Sequence, residues 1–361
     1  MKTKKKSISQ VLGPLAIPLI ALGILVIFNL IRDPEFFKVA ITHNNDGNAV
    51  LAGNLISIIN GASELAILAM GMTLVTAACG GQDISVGAAA AIAGSMFVKV
   101  LKSAEEITGG TVVLAFVCAC LIAMAFGAFN GTLVAVFKIQ PMIATLILYT
   151  CGRSIAYWIN GGATPSVSSP IISAWGSFIS GIPIPTPVII VVIMAIIFAL
   201  VFRFTSLRIL TQSVGINESA AKLNGINTTW IKLLTFIILG VCVAVAGTIG
   251  VSRLGLINHE TLLLDVEMDT ILAVAIGGNS LGGGRFRLSG SIMGAYVIQM
   301  LTTTLYAMKV PSTDVKAYKA IVIVILVVIG SPVVKKKFAK FMADMRRKKA
   351  EKAENSGKGA A

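Results

Sequence analysis

Long apolar runs separated by short polar breaks organise this chain. Two of the longest runs, 186–202 and 231–251, flank a basic loop. Several reach or exceed the roughly 18 apolar residues that a bilayer-spanning helix needs. The alternating segments of a transmembrane β-barrel are not present. The pattern predicts an all-α, polytopic membrane fold with about ten spans, at 11–31, 62–78, 85–101, 111–137, 141–158, 186–203, 230–254, 266–278, 288–308 and 317–334. The eighth is short, and the fourth is long enough to tilt or break near "GAFNG" at 127–131. Spans of that kind are expected where helices meet protein rather than lipid.

Composition agrees. Of 361 residues, 56% are hydrophobic and 13% are charged, against roughly 25% charged in soluble domains. Mean hydropathy is +0.88. A soluble core could not hide this much apolar surface. The start resembles a secretion signal, but its apolar run of about 21 residues exceeds the usual 7–15 and no small-residue cleavage site follows. It reads as a retained first span. The expected organisation is a basic segment at 1–10, one transmembrane domain at 11–334 and a basic tail at 335–361, frayed or disordered. The five cysteines lie in or beside apolar runs and read as small buried hydrophobes, with no metal-ligand spacing.

The net charge of +14 changes the picture only through its placement. Lysines cluster at the two ends, with no aromatic or groove-fitting module of a nucleic-acid binder. If the N-terminus is inside, ten spans return the C-terminus inside. Inside segments then hold 20 basic residues and outside segments 8, as the positive-inside rule requires. On that reading the uncharged stretch 160–185 lies outside, with a short interfacial helix near 171–179 and Trp175 as an anchor. The loop 204–229 lies inside.

The inside loop contains "GINESAAKLNG", 215–225. Asn217 suits a helix cap and Gly225 a helix stop. Glu218 sits in the first turn, four residues before Lys222, the favourable order for an ion pair. Ile216, Ala220 and Leu223 line one side. A helix of about seven residues is marginal in water, so it needs a docking surface. From periodicity alone, a turn packed on its own protein is the plainer reading.

The stretch "GINESAAKLNGI" resembles the coupling loop of ABC importer permeases. "GMTLVTAACGGQDISVGAAAAIAG" (71–94), "KIQPMIATLILYTCGRSIAYWINGG" (138–162) and "LDVEMDTILAVAIGGNSLGGGRFRLSGSIMGA" (264–295) resemble blocks of the ribose/xylose/galactofuranose-type sugar permeases, over about 62–332. Gln82 departs from the Ile usual there. The resemblance implies a bacterial inner-membrane transport subunit, not an enzyme, working as a homodimer or with a homologous permease. It implies a separate ATPase subunit holding ATP and magnesium, an extracytoplasmic sugar-binding protein, a small-molecule sugar as cargo, and no cofactor in this chain. Asn217, Glu218, Ala220, Ala221, Lys222, Gly225 and Ile226 would contact the ATPase, with Ala220 and Ala221 setting the fit. "GGQDISVG" and "GGNSLGGGRFRLSG" share a Gly-Gly turn and polar cap at one end of a span, the outline of an internal repeat. Asp83 and Ser85 suit helix caps. Neither loop is a P-loop, because "GGGRFR" lacks the required Lys-Ser/Thr.

Candidates for the path are Phe129 and Tyr149, which could stack on a sugar ring, and Asn130, Asn160 and Gln299, which could hydrogen-bond its hydroxyls. Arg153, inside span five, is the sixth; each also has a packing alternative. Glu64, Glu267 and Asp269 read as caps near the outer ends of their spans, and His259 as a solvated loop residue. With two histidines and no paired carboxylates or nucleophile set, catalysis is not expected. Competing readings are an importer of branched-chain amino acids or nucleosides, an ion-coupled transporter, which would need ionisable groups at mid-membrane depth, and a membrane scaffold.

Overall fold

The structure, a computed structural model, describes residues 15–43, 49–167, 169–179 and 181–330. The segments expected at 1–10 and 335–361 lie outside the described residues. The chain divides into two compact units, Met1–Met308 and Lys309–Ala361. The described part of the second is one helix, α14 (Ser312–Gly330).

The first unit begins with α1 (Ala16–Arg32) and a small antiparallel pair, β1 (Ala40–His43) and β2 (Ala49–Ala52), with Ala40 opposite Ala52. Then follow α2 (Asn54–Gly61), α3 (Ser63–Cys79), α4 (Val86–Ser103), α5 (Gly109–Ala135), α6 (Pro141–Ile159), α7 (Pro170–Gly176), α8 (Thr186–Phe204), α9 (Leu207–Ile216), α10 (Glu218–Leu223), α11 (Thr228–Leu254), α12 (Val266–Ile276) and α13 (Leu288–Ala307). Local chemistry sets several starts. Proline opens α6, α7 and α8 in the first turn, where its missing N–H costs nothing. Thr108 and Thr111 close a reciprocal capping box ahead of α5.

Among the described residues, six helices are long and apolar enough to cross a membrane, with α2 and α3 counted as one. This is a multi-pass membrane protein. Helices also stand at the other expected spans, but α1 and α12 are short and α13 and α14 do not meet the same length and apolarity test. Ten crossings are therefore not established.

Of the two expectations for the fourth span, to tilt or to break, the break is absent, since α5 runs unbroken. Gly127 and Gly131 instead lie against α11 at Phe236 and Leu233. Small residues there let two helix backbones approach closely. The centre of the bundle is α3, α4 and α11, which are mostly buried, while only a minority of the residues of α5, α6 and α8 are buried. Thr73 Oγ1 on α3 lies 2.6 Å from Ser291 Oγ on α13, a polar tie inside the apolar centre.

Past α11 the backbone turns at one end of the bundle, where Ile257 N donates to Pro165 O and Val167 N to Gly255 O. It then descends without helical structure until Glu267 and the Leu263 carbonyl lie against Gly87, near the start of α4. From there α12 runs only eleven residues, about 16 Å at 1.5 Å per residue. That is half of a roughly 30 Å hydrocarbon core. The eighth span is short, as expected, and Glu267 and Asp269 start it alongside the beginning of α4. Irregular backbone at such depth is tolerated where protein covers it.

Candidate functional site

Two regions carry the chemistry. The first is the loop between α8 and α11. Asn217 leaves the helical region at φ −156° and its side chain accepts from Ala220 N at 3.0 Å, so the cap forms as its residue type requires. Six residues of helix follow. Gly225 closes the turn at φ +78°, a conformation costly for any residue with a β-carbon. No atom crowds Gly225, so backbone geometry alone selects glycine there.

The helix is pinned rather than loose. Glu218 receives Lys232 Nζ at 2.6 Å on Oε2, and Lys138 at 2.9 Å and Lys222 at 3.3 Å on Oε1. The Thr228 hydroxyl donates to the same Oε1 at 3.2 Å. One carboxylate joins α10 to α11 and to the α5–α6 turn. The Lys232 hydrogen bond above all, with the neighbouring Lys138 charge and hydrogen bond, holds the Glu218 carboxyl well below the usual carboxylate range. Lys138 and Lys232 carried no sequence signal for this role, because both partners are remote in the chain.

Beneath α10, Ala221 is buried in a small cluster with Val214 and Ile231, with Leu210 and Ile226 against it. Its methyl group contacts the chain's own α9 and α11. Ala220 and Lys222 are exposed. The outward face belongs to Ile216, 73% exposed, and Leu223, 90% exposed. At the end of α9 that adjoins α10, a β-carbon on Gly215 would overlap the Ala77 carbonyl oxygen at the end of α3. Gly284 N donates to that same oxygen at 3.0 Å, and Gln82 Nε2 reaches Leu281 O at 2.9 Å. The three glycine-rich motifs thus meet at one junction next to α10.

The second region lies where the descending backbone after α11 meets α6. Arg153 Nη1 donates to the carbonyls of His259 at 2.7 Å and Leu262 at 3.2 Å. The Tyr157 and His259 rings are 4.8 Å apart, and the His259 side chain is only 14% exposed, so it is not the solvated residue expected. With Ser154 and Glu260 these residues line an open cleft of about 370 Å³. Ser154, Tyr157 and Glu260 were not singled out by sequence.

The other path candidates lie apart. Asn130 is buried and its Nδ2 donates to Ser85 Oγ at 3.0 Å, tying α5 to the turn before α4. In that turn Asp83 accepts from Ser85 N and Oγ at 2.8 and 2.6 Å instead of capping α4 directly. Asn160 Nδ2 reaches Ser95 O at 3.4 Å. Gln299 packs against Gly61. Phe129 and Tyr149 are exposed on α5 and α6. Glu64, expected as a cap, is buried and paired with Arg253 at 3.2 Å. Trp175 packs its ring on Phe116 at 5.7 Å.

Residues 54–330 match a family described as the permease component of a branched-chain amino acid transport system. The chain belongs to this permease family. The permease is 39% identical over 313 residues to the galactofuranose transporter permease protein of Escherichia coli, covering 87% of this chain and 88% of the relative. It is 33% identical over 341 residues to the fructose import permease protein of Bifidobacterium longum, covering 93% and 92%. It is 32% identical over 318 residues to the ribose import permease protein of Escherichia coli, covering 87% and 92%. No solved structure matches.

Proposed function

We propose that this chain is the membrane subunit of an ATP-driven monosaccharide importer in the bacterial inner membrane, with α10 facing the cytoplasm as the element gripped by a separate ATPase. The observation that carries the reading is the form of α10. It is a short helix capped at both ends and clamped by Glu218, and it presents Leu223 to solvent beside Ile216 at the end of α9. An exposed Leu at 90% has no role in the permease's own packing, and it suits insertion into a groove on a partner. ATP and magnesium belong to that partner, and a sugar-binding protein delivers cargo at the opposite face. Two copies of the permease would enclose the path. Both termini are placed in the cytoplasm.

Sugar as cargo rests on the relatives, whose names specify galactofuranose, fructose and ribose. The cleft on α6 suits such cargo: Tyr157 offers a ring face, and Ser154 and Glu260 offer hydrogen-bonding groups beside Arg153. The family description favours a second reading, a branched-chain amino acid. Reconstituted vesicles containing the permease, the neighbouring ATPase and the binding protein would decide. Uptake of labelled monosaccharide, abolished by Leu223→Asp, supports the proposal. Uptake of labelled leucine alone favours the second reading. Uptake unaffected by Leu223→Asp removes α10 from coupling.

A further inference from the structure

An apolar crevice lies between α8 and α11, with a volume of about 260 Å³. Its walls include Leu74, Ile197, Phe198, Phe202, Leu207 and Val241. Ile197 also belongs to the outward face of α8, with Ile193, Leu200 and Phe204 exposed at helical spacing along it. The crevice therefore opens on the side of α8 that a membrane would cover. No described charged side chain lines it.

Basic groups stand where the crevice ends. Arg203 occupies the last turn of α8, and Arg208 the first turn of α9. The Arg208 guanidinium carbon lies 5.9 Å from the Phe286 ring centre. Phe286 in turn packs edge-on against Phe202, a wall of the crevice, at 4.8 Å. Arg285 and Arg287 flank Phe286 in the chain, and partial burial first, then repulsion from Arg285, lowers the affinity of Arg287 for its proton. Among the described residues, Arg203, Arg208 and Arg285 make no ion pair with a carboxylate. Phe204 and Ile209 are exposed between them, at 78% and 68%.

We propose that this is a binding site for one anionic phospholipid, with an acyl chain in the crevice and the phosphate held by Arg203 and Arg208. A soluble anion would leave the crevice and the exposed Phe204 and Ile209 without a role. An apolar slot ending in unpaired arginines at the end of a membrane-exposed helix matches a lipid's two halves. Basic clusters just beyond a span attract anionic headgroups at about 1 kcal/mol per residue.

The test is native mass spectrometry of the full chain in detergent with equimolar phosphatidylglycerol and phosphatidylcholine. One phosphatidylglycerol per chain should be retained in preference to phosphatidylcholine. Arg203→Gln with Arg208→Gln should weaken that retention about thirtyfold while leaving phosphatidylcholine unchanged. Val241→Trp should reduce retention of both lipids by filling the slot. If that variant fails to fold, the arginine pair, which is exposed, still decides. Equal retention of the two lipids by the native chain would overturn the proposal. So would displacement of phosphatidylglycerol by inorganic phosphate, or a double variant that keeps the lipid but loses the ATPase. The last result would assign the arginines to a protein contact.

Discussion

Lys232 Nζ donates to Glu218 Oε2 at 2.6 Å, joining the short helix α10 to the first turns of α11. The Lys232 side chain is 10% exposed and that of Glu218 29%, so this pair is partly shielded from water. Removing Glu218 strands that cation. Glu218→Ala should loosen α10 by about 2 kcal/mol, between the 0.2–0.5 of an exposed helix pair and the 3–5 of a broken buried pair. The Glu218–Lys222 spacing alone pointed to the small value, because the contacts with Lys138 and Lys232 are invisible to spacing. Hydrogen exchange of the amides at 218–225 reads the effect. Protection unchanged in Glu218→Ala would refute the clamp.

The same pair sets a pH dependence. The folded-state pKa of Glu218 is depressed, so its contribution is complete above the unfolded value near 4.3. It is lost only as pH falls through the lower folded value. Protection of α10 should stay flat from pH 8 to about pH 5 and decline only under more acid conditions. A midpoint near neutrality would contradict the assignment.

Gly215 and Gly225 should behave differently. Gly215→Ala forces a β-carbon onto the Ala77 carbonyl oxygen, so it should lower the melting temperature and disturb the junction of the three glycine motifs. Gly225→Val meets open space but must hold a positive φ, at a cost of roughly 1–2 kcal/mol. Its fold should survive while α10 and ATPase co-purification weaken. Equal melting losses for both would mean that crowding at Gly215 is not limiting.

Arg153 satisfies two carbonyls of the descending segment before α12. Arg153→Leu should leave the ATPase bound through α10 but reduce transport at least tenfold, since two part-buried acceptors lose a charged donor at about 1.5–3 kcal/mol each. Co-purification and uptake, measured on the same preparation, separate the two effects. Normal uptake would exclude the segment from the path.

The orientation predicts opposite labelling at the two ends. In a cysteine-free background, Glu105→Cys, exposed in the α4–α5 turn, should react with an impermeant thiol reagent on intact cells. Asn224→Cys, exposed after α10, should react only after lysis. The reverse pattern would invert the topology.

The sequence by itself determined the membrane class, the positions of most of the long helices and both ends of α10. These follow from run length, charge placement and the cap preferences of Asn217 and Gly225, all of them local properties. Tertiary structure decided the rest. Hydropathy cannot tell a half-length helix in protein from a full span in lipid, so the descent to Glu267 could not be read from the sequence. Nor could the burial of Ala221, the covering of His259 by Tyr157, or the convergence of Lys138 and Lys232 on Glu218. Each depends on contacts between residues remote in the chain, and in a membrane the apolar pattern that normally marks the inner face of a helix no longer distinguishes protein from lipid.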